Sequence, residues 1–176
     1  MENAYRKSAT SYGITLGVIL SLLTVIGYAV YLDLFTAWWF GILNIVLIIV
    51  FGILSAKKTK QLVEGYTTFK QAFTGYFITI ALGTFISTVV SLLIFNVIDT
   101  DAAQILNEKI IENSEAMMQK FGAPQSEIDK AIVAMEEDNQ FSMMNYIKGW
   151  FGFLVFYAVV GLIVALIFRE KDPTKV

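Results

Sequence analysis

The side chains in this chain equipped for acid–base or metal chemistry are almost all carboxylates, because His and Cys are both absent. Lack of His removes the commonest general base and metal ligand. Lack of Cys excludes disulfides, thiolate nucleophiles, zinc–thiolate sites and iron–sulfur clusters. Two carboxylate groupings stand out, Asp99-Thr100-Asp101 and Glu136-Glu137-Asp138. The first reads as a helix end and a solvated turn. In the second, neighbouring carboxylates on a helix point in different directions, and the ligand spacing of a calcium loop is missing. The chain also has no phosphate-cradling glycine loop, no P-loop and no long basic tract for nucleic acid. No catalytic, cofactor-binding or metal-binding residue is assigned, and the chain is expected not to be an enzyme.

What would position any site is a set of apolar helices. Of the 176 residues, 56% are hydrophobic and 16% charged, with a mean hydropathy of +0.64. A soluble domain carries about 25% charged residues. Asp, Glu, Lys and Arg are absent from Ser8 to Leu32, Leu34 to Ala56, Gln71 to Ile98 and Gly149 to Phe168. Each stretch reaches the about 20 residues that a helix needs to cross a bilayer core of about 30 Å. The expected fold is all-α, a polytopic membrane protein with four transmembrane helices at about Tyr12–Leu32, Ala37–Leu54, Phe73–Val97 and Tyr146–Phe168. Only Asp33-Leu34-Phe35-Thr36 links the first two, and Tyr28, Tyr31, Phe35, Trp38 and Trp39 cluster there as an interfacial aromatic belt. Residues 1–98 would form the first three spans, 99–145 an acidic extracytoplasmic helical hairpin, and 146–176 the fourth span and its tail, all in one folding unit.

Charge sets the expected orientation. Arg6, Lys7, Lys57, Lys58, Lys60, Lys70, Arg169, Lys171 and Lys175 gather on one side of the spans. The opposite side holds Asp33 and the segment Asp99–Asn145, in which ten acids face only Lys109, Lys120 and Lys130. By the positive-inside rule both termini are cytoplasmic. Arg6-Lys7 before an apolar run also has the shape of a signal peptide, but an uncleaved anchor keeps both hairpins in register with the charges.

Within the spans, proton relays and ion sites usually need an ionisable residue, and the sequence is read as placing none there. Polar residues do occur: Ser21, Thr24, Asn44, Thr84, Ser87, Thr88, Ser91 and Asn96. Gly13, Gly17 and Ser21 follow at four-residue steps on the first span, and Gly83, Ser87 and Ser91 do so on the third. Small residues at that period let two helix backbones approach, either within the chain or at an interface with a partner or a second copy.

The segment Asp99–Asn145 exceeds the about 2–8 residues of an ordinary helix–helix link. Ile105, Leu106, Ile110, Ile111, Met117, Met118 and Phe121 recur at helical spacing, Gly122-Ala123-Pro124 breaks the pattern, and Ser126 with Asp129 reads as a capping box. Ile128, Ala131, Ile132 and Met135 continue as a second amphipathic stripe. The resulting pair caps the spans or offers a partner surface around Met117, Met118, Met135, Glu136, Glu137 and Asp138, methionines supplying adaptable apolar contacts.

Gly65-Tyr66-Thr67-Thr68-Phe69-Lys70-Gln71-Ala72-Phe73, entering the third span, resembles the entry segment of a bacterial membrane-protein family of unknown function, domain of unknown function 4199. The four-span layout, the tight first turn, the acidic helical loop and the ending Phe168-Arg169-Glu170-Lys171 are similar too, so that the resemblance covers about Tyr5 to Lys171. It implies a multi-pass protein of the bacterial inner membrane with its long loop periplasmic, and carries no activity or catalytic residues. It also points to a polyprenyl-phosphate glycosyltransferase as a candidate partner, since members are encoded near such enzymes. The expected role is a non-enzymatic accessory or scaffold subunit, in contact with membrane lipid and with a membrane-protein partner or further copies of itself. The alternative is an oligomeric channel or a component of a small-solute or lipid transporter, with Thr84, Thr88 and Asn96 along its path.

Overall fold

The computed structural model describes residues 2–63 and 66–170. Gly65 of the entry motif and Lys171 and Lys175 of the basic tail lie outside the described residues. Among the described residues there is no strand, and most are helical: α1 (Glu2–Val30), α2 (Trp38–Leu62), α3 (Phe69–Leu93), α4 (Thr100–Lys120), α5 (Gln125–Glu137) and α6 (Met143–Phe168). A 3-10 turn, Leu32–Thr36, joins α1 to α2, and a π-helical turn, Ile94–Ile98, extends α3. Four of these helices, α1, α2, α3 with its π turn, and α6, are long and apolar enough to cross a membrane.

The helices outrun the apolar stretches at the basic end. Helix α1 starts at Glu2, ahead of Arg6 and Lys7, and α2 runs on through Lys57, Lys58 and Lys60 to Leu62. Those last turns are built of good helix formers, and Ser55, Ala56 and Thr59 on their inner face are buried. Helix α3 starts on a capping box: Gln71 N–H donates to Thr68 Oγ1 at 3.2 Å and Thr68 N–H donates to Gln71 Oε1 at 2.9 Å. Two free N–H groups are satisfied reciprocally at the point where the chain re-enters the bundle.

Helix α3 is the centre, packing on α1, α2 and α6. The core comprises Leu16 and Leu20 of α1, Ile48 and Ala56 of α2, Tyr76 and Ile80 of α3, and Tyr157 and Val164 of α6. Glycines permit the closest approaches. A Cβ on Gly17 would sit 2.8 Å from Ile86 Cβ, and one on Gly83 would sit 2.7 Å from Leu16 Cδ2. Tyr76 fills a slot between two more: a Cβ on Gly52 would lie 2.5 Å from one edge of its ring, and a Cβ on Gly161 would lie 2.6 Å from the other.

At the basic end, polar groups tie the helices. Thr79 Oγ1 lies 2.9 Å from the Ala9 carbonyl of α1, 2.7 Å from Ser55 Oγ of α2 and 3.1 Å from the Gly75 carbonyl. Ser55 Oγ is 2.9 Å from that same carbonyl. Lys60 of α2 pairs with Glu170 at 2.9 Å, and Glu170 N–H donates to the Thr67 carbonyl at 2.8 Å.

A second core closes the acidic end, built of Ile94, Phe95, Ala102, Ala103 and Leu106. The Phe95 ring meets Tyr28, Phe35 and Phe141 at centroid distances of 6.2, 5.5 and 5.4 Å. The aromatic belt expected at the first turn therefore divides. Tyr28 and Phe35 turn inward onto Phe95, whereas Tyr31, Trp38 and Trp39 remain exposed. Two expectations are corrected. Ser126 does not cap α5, because the helix already begins at Gln125 after Pro124, placing Ser126 inside the first turn. The fourth span is not free of charge either, since Lys148 lies in the second turn of α6.

Candidate functional site

Between α2 and α6 the bundle leaves a cleft of about 520 Å³. Its floor and walls are Leu20, Ile45, Ile48, Phe153 and Tyr157. Its polar side is Asn44 of α2, Thr84, Ser87 and Thr88 of α3, and Trp150 of α6. Three glycines explain why it is open. A Cβ on Gly41, Gly149 or Gly152 would meet nothing within 4 Å, and all three border this cleft or the groove that adjoins it. Elsewhere in the spans, Gly13, Gly17, Gly52, Gly75, Gly83 and Gly161 are contact points between helices.

The polar side is fixed from behind. Thr84 Oγ1 lies 2.7 Å from the Ile80 carbonyl, to which it donates, and accepts from Trp150 Nε1 at 3.1 Å. The Trp150 ring also stands edge-on to Phe85 at 5.4 Å. Asn44 Nδ2 donates to the Phe40 carbonyl at 2.8 Å. Ser87 and Thr88 differ, since among the described residues neither side chain makes a hydrogen bond. Hydroxyls in apolar helices ordinarily bond back to the carbonyl four residues earlier, as Thr84 does.

The cleft continues at the acidic end into a vestibule of about 510 Å³, lined by Ala134, Met135, Asp138, Gln140, Asn145, Lys148 and Gly149. Asn145 organises it. Its Nδ2 donates to Asp138 Oδ1 at 2.7 Å and to the Asn139 carbonyl at 3.0 Å, while its Oδ1 accepts from Lys148 Nζ at 3.4 Å. The amide thus stands between a carboxylate and an ammonium that do not pair with each other.

Helix α4 is anchored over the same end. Asp99 Oδ1 accepts from Ala102 N–H and its Oδ2 from the Tyr28 hydroxyl, both at 2.9 Å. The Ala102 amide first, and the Tyr28 hydroxyl second, hold the Asp99 carboxyl below the usual range, against an opposing effect of desolvation. Lys109 pairs with Asp33 in the first turn. Glu170, at the basic end, is likewise held low, chiefly by its hydrogen bond from Lys60.

The small-residue positions read from the sequence separate in space. Gly13, Gly17 and Gly83 lie in the contact between α1 and α3, where a Cβ on Gly83 would come 3.0 Å from the Gly13 carbonyl. Ser21 is half-buried with its hydroxyl unpartnered, and Ser91 is half-buried farther along α3. Ser87 alone of that set faces the cleft. Of the partner-surface set, Met135 and Asp138 line the vestibule, Met118 is half-buried, and Met117, Glu136 and Glu137 are exposed. Thr84 and Thr88 share the cleft, but Asn96 is not among its lining residues. Among the described residues no three carboxylates converge to hold a metal ion. Trp150, Lys148, Asn145 and the glycines Gly41, Gly149 and Gly152 were not singled out from sequence. The pair Gly149 and Gly152 beside a lone Lys at a span's edge was the available signal.

A family described as a protein of unknown function (DUF4199) matches residues 11–170, and the chain belongs to that family. No curated protein matches the chain, and no solved structure matches it.

Proposed function

We propose that this member of a family without an assigned activity is a non-enzymatic accessory or scaffold subunit of the bacterial inner membrane. In this reading both termini are cytoplasmic, because the basic residues gather at one end of the spans, and α4 and α5 stand in the periplasm. They present a surface to another envelope protein.

The observation that carries the reading is the state of Phe121. It is 81% exposed and is the residue that closes the C-terminal end of α4. Gly122 takes φ +75°, Gly122 N–H donates to the Gln119 carbonyl and Ala123 N–H to the Met118 carbonyl, both at 3.0 Å. That pair of bonds is a Schellman closure, which fixes the chain direction. Met117 and Val133 are also exposed, at 56% and 52%. Exposed aromatic and methionine side chains have the composition of a partner-binding hot spot. A glycosyltransferase acting on polyprenyl phosphates is the candidate partner that the family resemblance supplies.

The test is site-specific photo-crosslinking from position 121 in cells, with Leu166, exposed on α6, as control. A single discrete adduct from position 121, lost on Met117→Asp, supports the reading. Adducts only with lipid count against it.

The transport reading keeps one observation in its favour, the unpaired Ser87 and Thr88 hydroxyls facing the cleft. Solute flux in proteoliposomes that disappears when Thr84, Thr88 and Asn96 become Leu would favour it. Unchanged flux would remove it.

A further inference from the structure

We infer that the cleft and its vestibule together hold one membrane lipid with a phosphate–amine headgroup, its hydrocarbon chain lying between α2 and α6. The argument begins with volume. Cleft and vestibule, about 520 and 510 Å³, adjoin and share Gln140, Asn145 and Gly149 as lining residues, and each falls in the about 300–1,000 Å³ range of small-molecule sites. The second point is the polarity gradient. Ile45, Ile48 and Phe153 line the part between the spans, and the charged side chains stand only at the mouth. That division suits an amphiphile aligned with the bilayer.

Charge selects the headgroup. Asp138 and Lys148 line one vestibule without pairing, and the Asn145 amide keeps them apart. A zwitterion places a phosphate on Lys148 and an ammonium on Asp138. The Asp138 carboxylate in the same lining disfavours a purely anionic headgroup. A choline headgroup has no N–H to donate to Asp138, so a primary amine is the better match. Ser87 and Thr88 then meet the ester region with hydroxyls that have no other partner. The three glycines keep the chain's path open.

Trp150 reports on occupancy, because it lines the cleft. The other two of the three Trp, Trp38 and Trp39, are exposed and are replaced by Phe to leave one fluorophore. This protein is placed in phosphatidylcholine nanodiscs doped with brominated-chain phosphatidylethanolamine or phosphatidylglycerol, and Trp150 quenching is followed against mole fraction. Half-quenching is expected at a mole fraction about tenfold lower for phosphatidylethanolamine, or about 1.4 kcal/mol. Asp138→Asn should bring the two lipids together, whereas Lys148→Gln should weaken both, because both carry the phosphate. Gly149→Leu, at a glycine that lines both cleft and vestibule, should remove saturable quenching, with the unfolding temperature measured as the check on folding. Equal quenching by both lipids, preference for phosphatidylglycerol, or a preference that survives Asp138→Asn overturns the inference. So does saturable quenching that persists in the Gly149→Leu chain.

Discussion

Asp99 and Tyr28, 71 positions apart in sequence, are joined by a 2.9 Å hydrogen bond from the phenol to Oδ2, while Oδ1 of the same carboxylate caps α4. One side chain therefore ends the π turn of α3, starts the next helix and fastens both to α1. The π turn delivers it there, its last bond running from Asp99 N–H to the Ile94 carbonyl at 2.8 Å.

The ionised form of Asp99 is the one these donors favour, so its folded-state pKa lies below the unfolded value of about 3.9. A depressed carboxylate contributes stability that is present above the unfolded value and lost as pH falls through the folded one. Amide protection at the start of α4, taken relative to the intrinsic exchange rate at each pH, should thus be high at pH 7 and fall below about pH 4. Asp99→Ala should show low protection at both pH values, and Tyr28→Phe intermediate protection at pH 7. Protection independent of pH in the unaltered chain would contradict the assignment.

Tyr76 between Gly52 and Gly161 sets up a paired comparison. Gly161→Ala places a Cβ 2.6 Å from the buried ring, an overpacking expected to cost about 1–3 kcal/mol. Gly152→Ala, nine residues earlier on the same helix, points into open space and should stay within about 0.5 kcal/mol. Thermal unfolding in one detergent distinguishes them. Equal shifts at the two positions would contradict the Tyr76 slot, since helix propensity alone favours alanine at both.

The Thr79–Ser55 pair makes a third prediction. Thr79→Val keeps the shape but removes the proton shared among α1, α2 and α3, with an expected loss of about 0.6–2 kcal/mol. Ser55→Ala in the Thr79→Val background should then cost less than Ser55→Ala alone, because the two hydroxyls bond to each other. Additive losses, measured by thermal unfolding, would contradict a shared network.

Apolar run length located the four spans because the bilayer sets it, and the turn at Asp33 was readable from its brevity. Helix ends were not, since no physical rule stops a helix where its apolar residues stop. Buried Ser55, Ala56 and Thr59 kept α2 packed and helical beyond Leu54. The capping box at Thr68 and Gln71 was present as Thr-x-x-Gln, while the one proposed at Ser126 lost to Pro124 as the boundary. The cleft was least readable. Glycine has the same identity at Gly83, where two helices touch, and at Gly152, where nothing does. Lys148 lies just outside the last charge-free stretch, and its position beside Asp138 and Asn145 depends on how α5 returns to α6.

The proposed binding of α4 and α5 to another membrane protein through Phe121 is tested by affinity purification of the tagged chain in a mild, lipid-preserving detergent, followed by native mass measurement. One partner at fixed stoichiometry is expected, with retention falling about 30-fold, or about 2 kcal/mol, in Phe121→Asp while the unfolding temperature is unchanged. A clean homo-oligomer carrying lipid and no partner, identical in the unaltered chain and in Phe121→Asp, would contradict it.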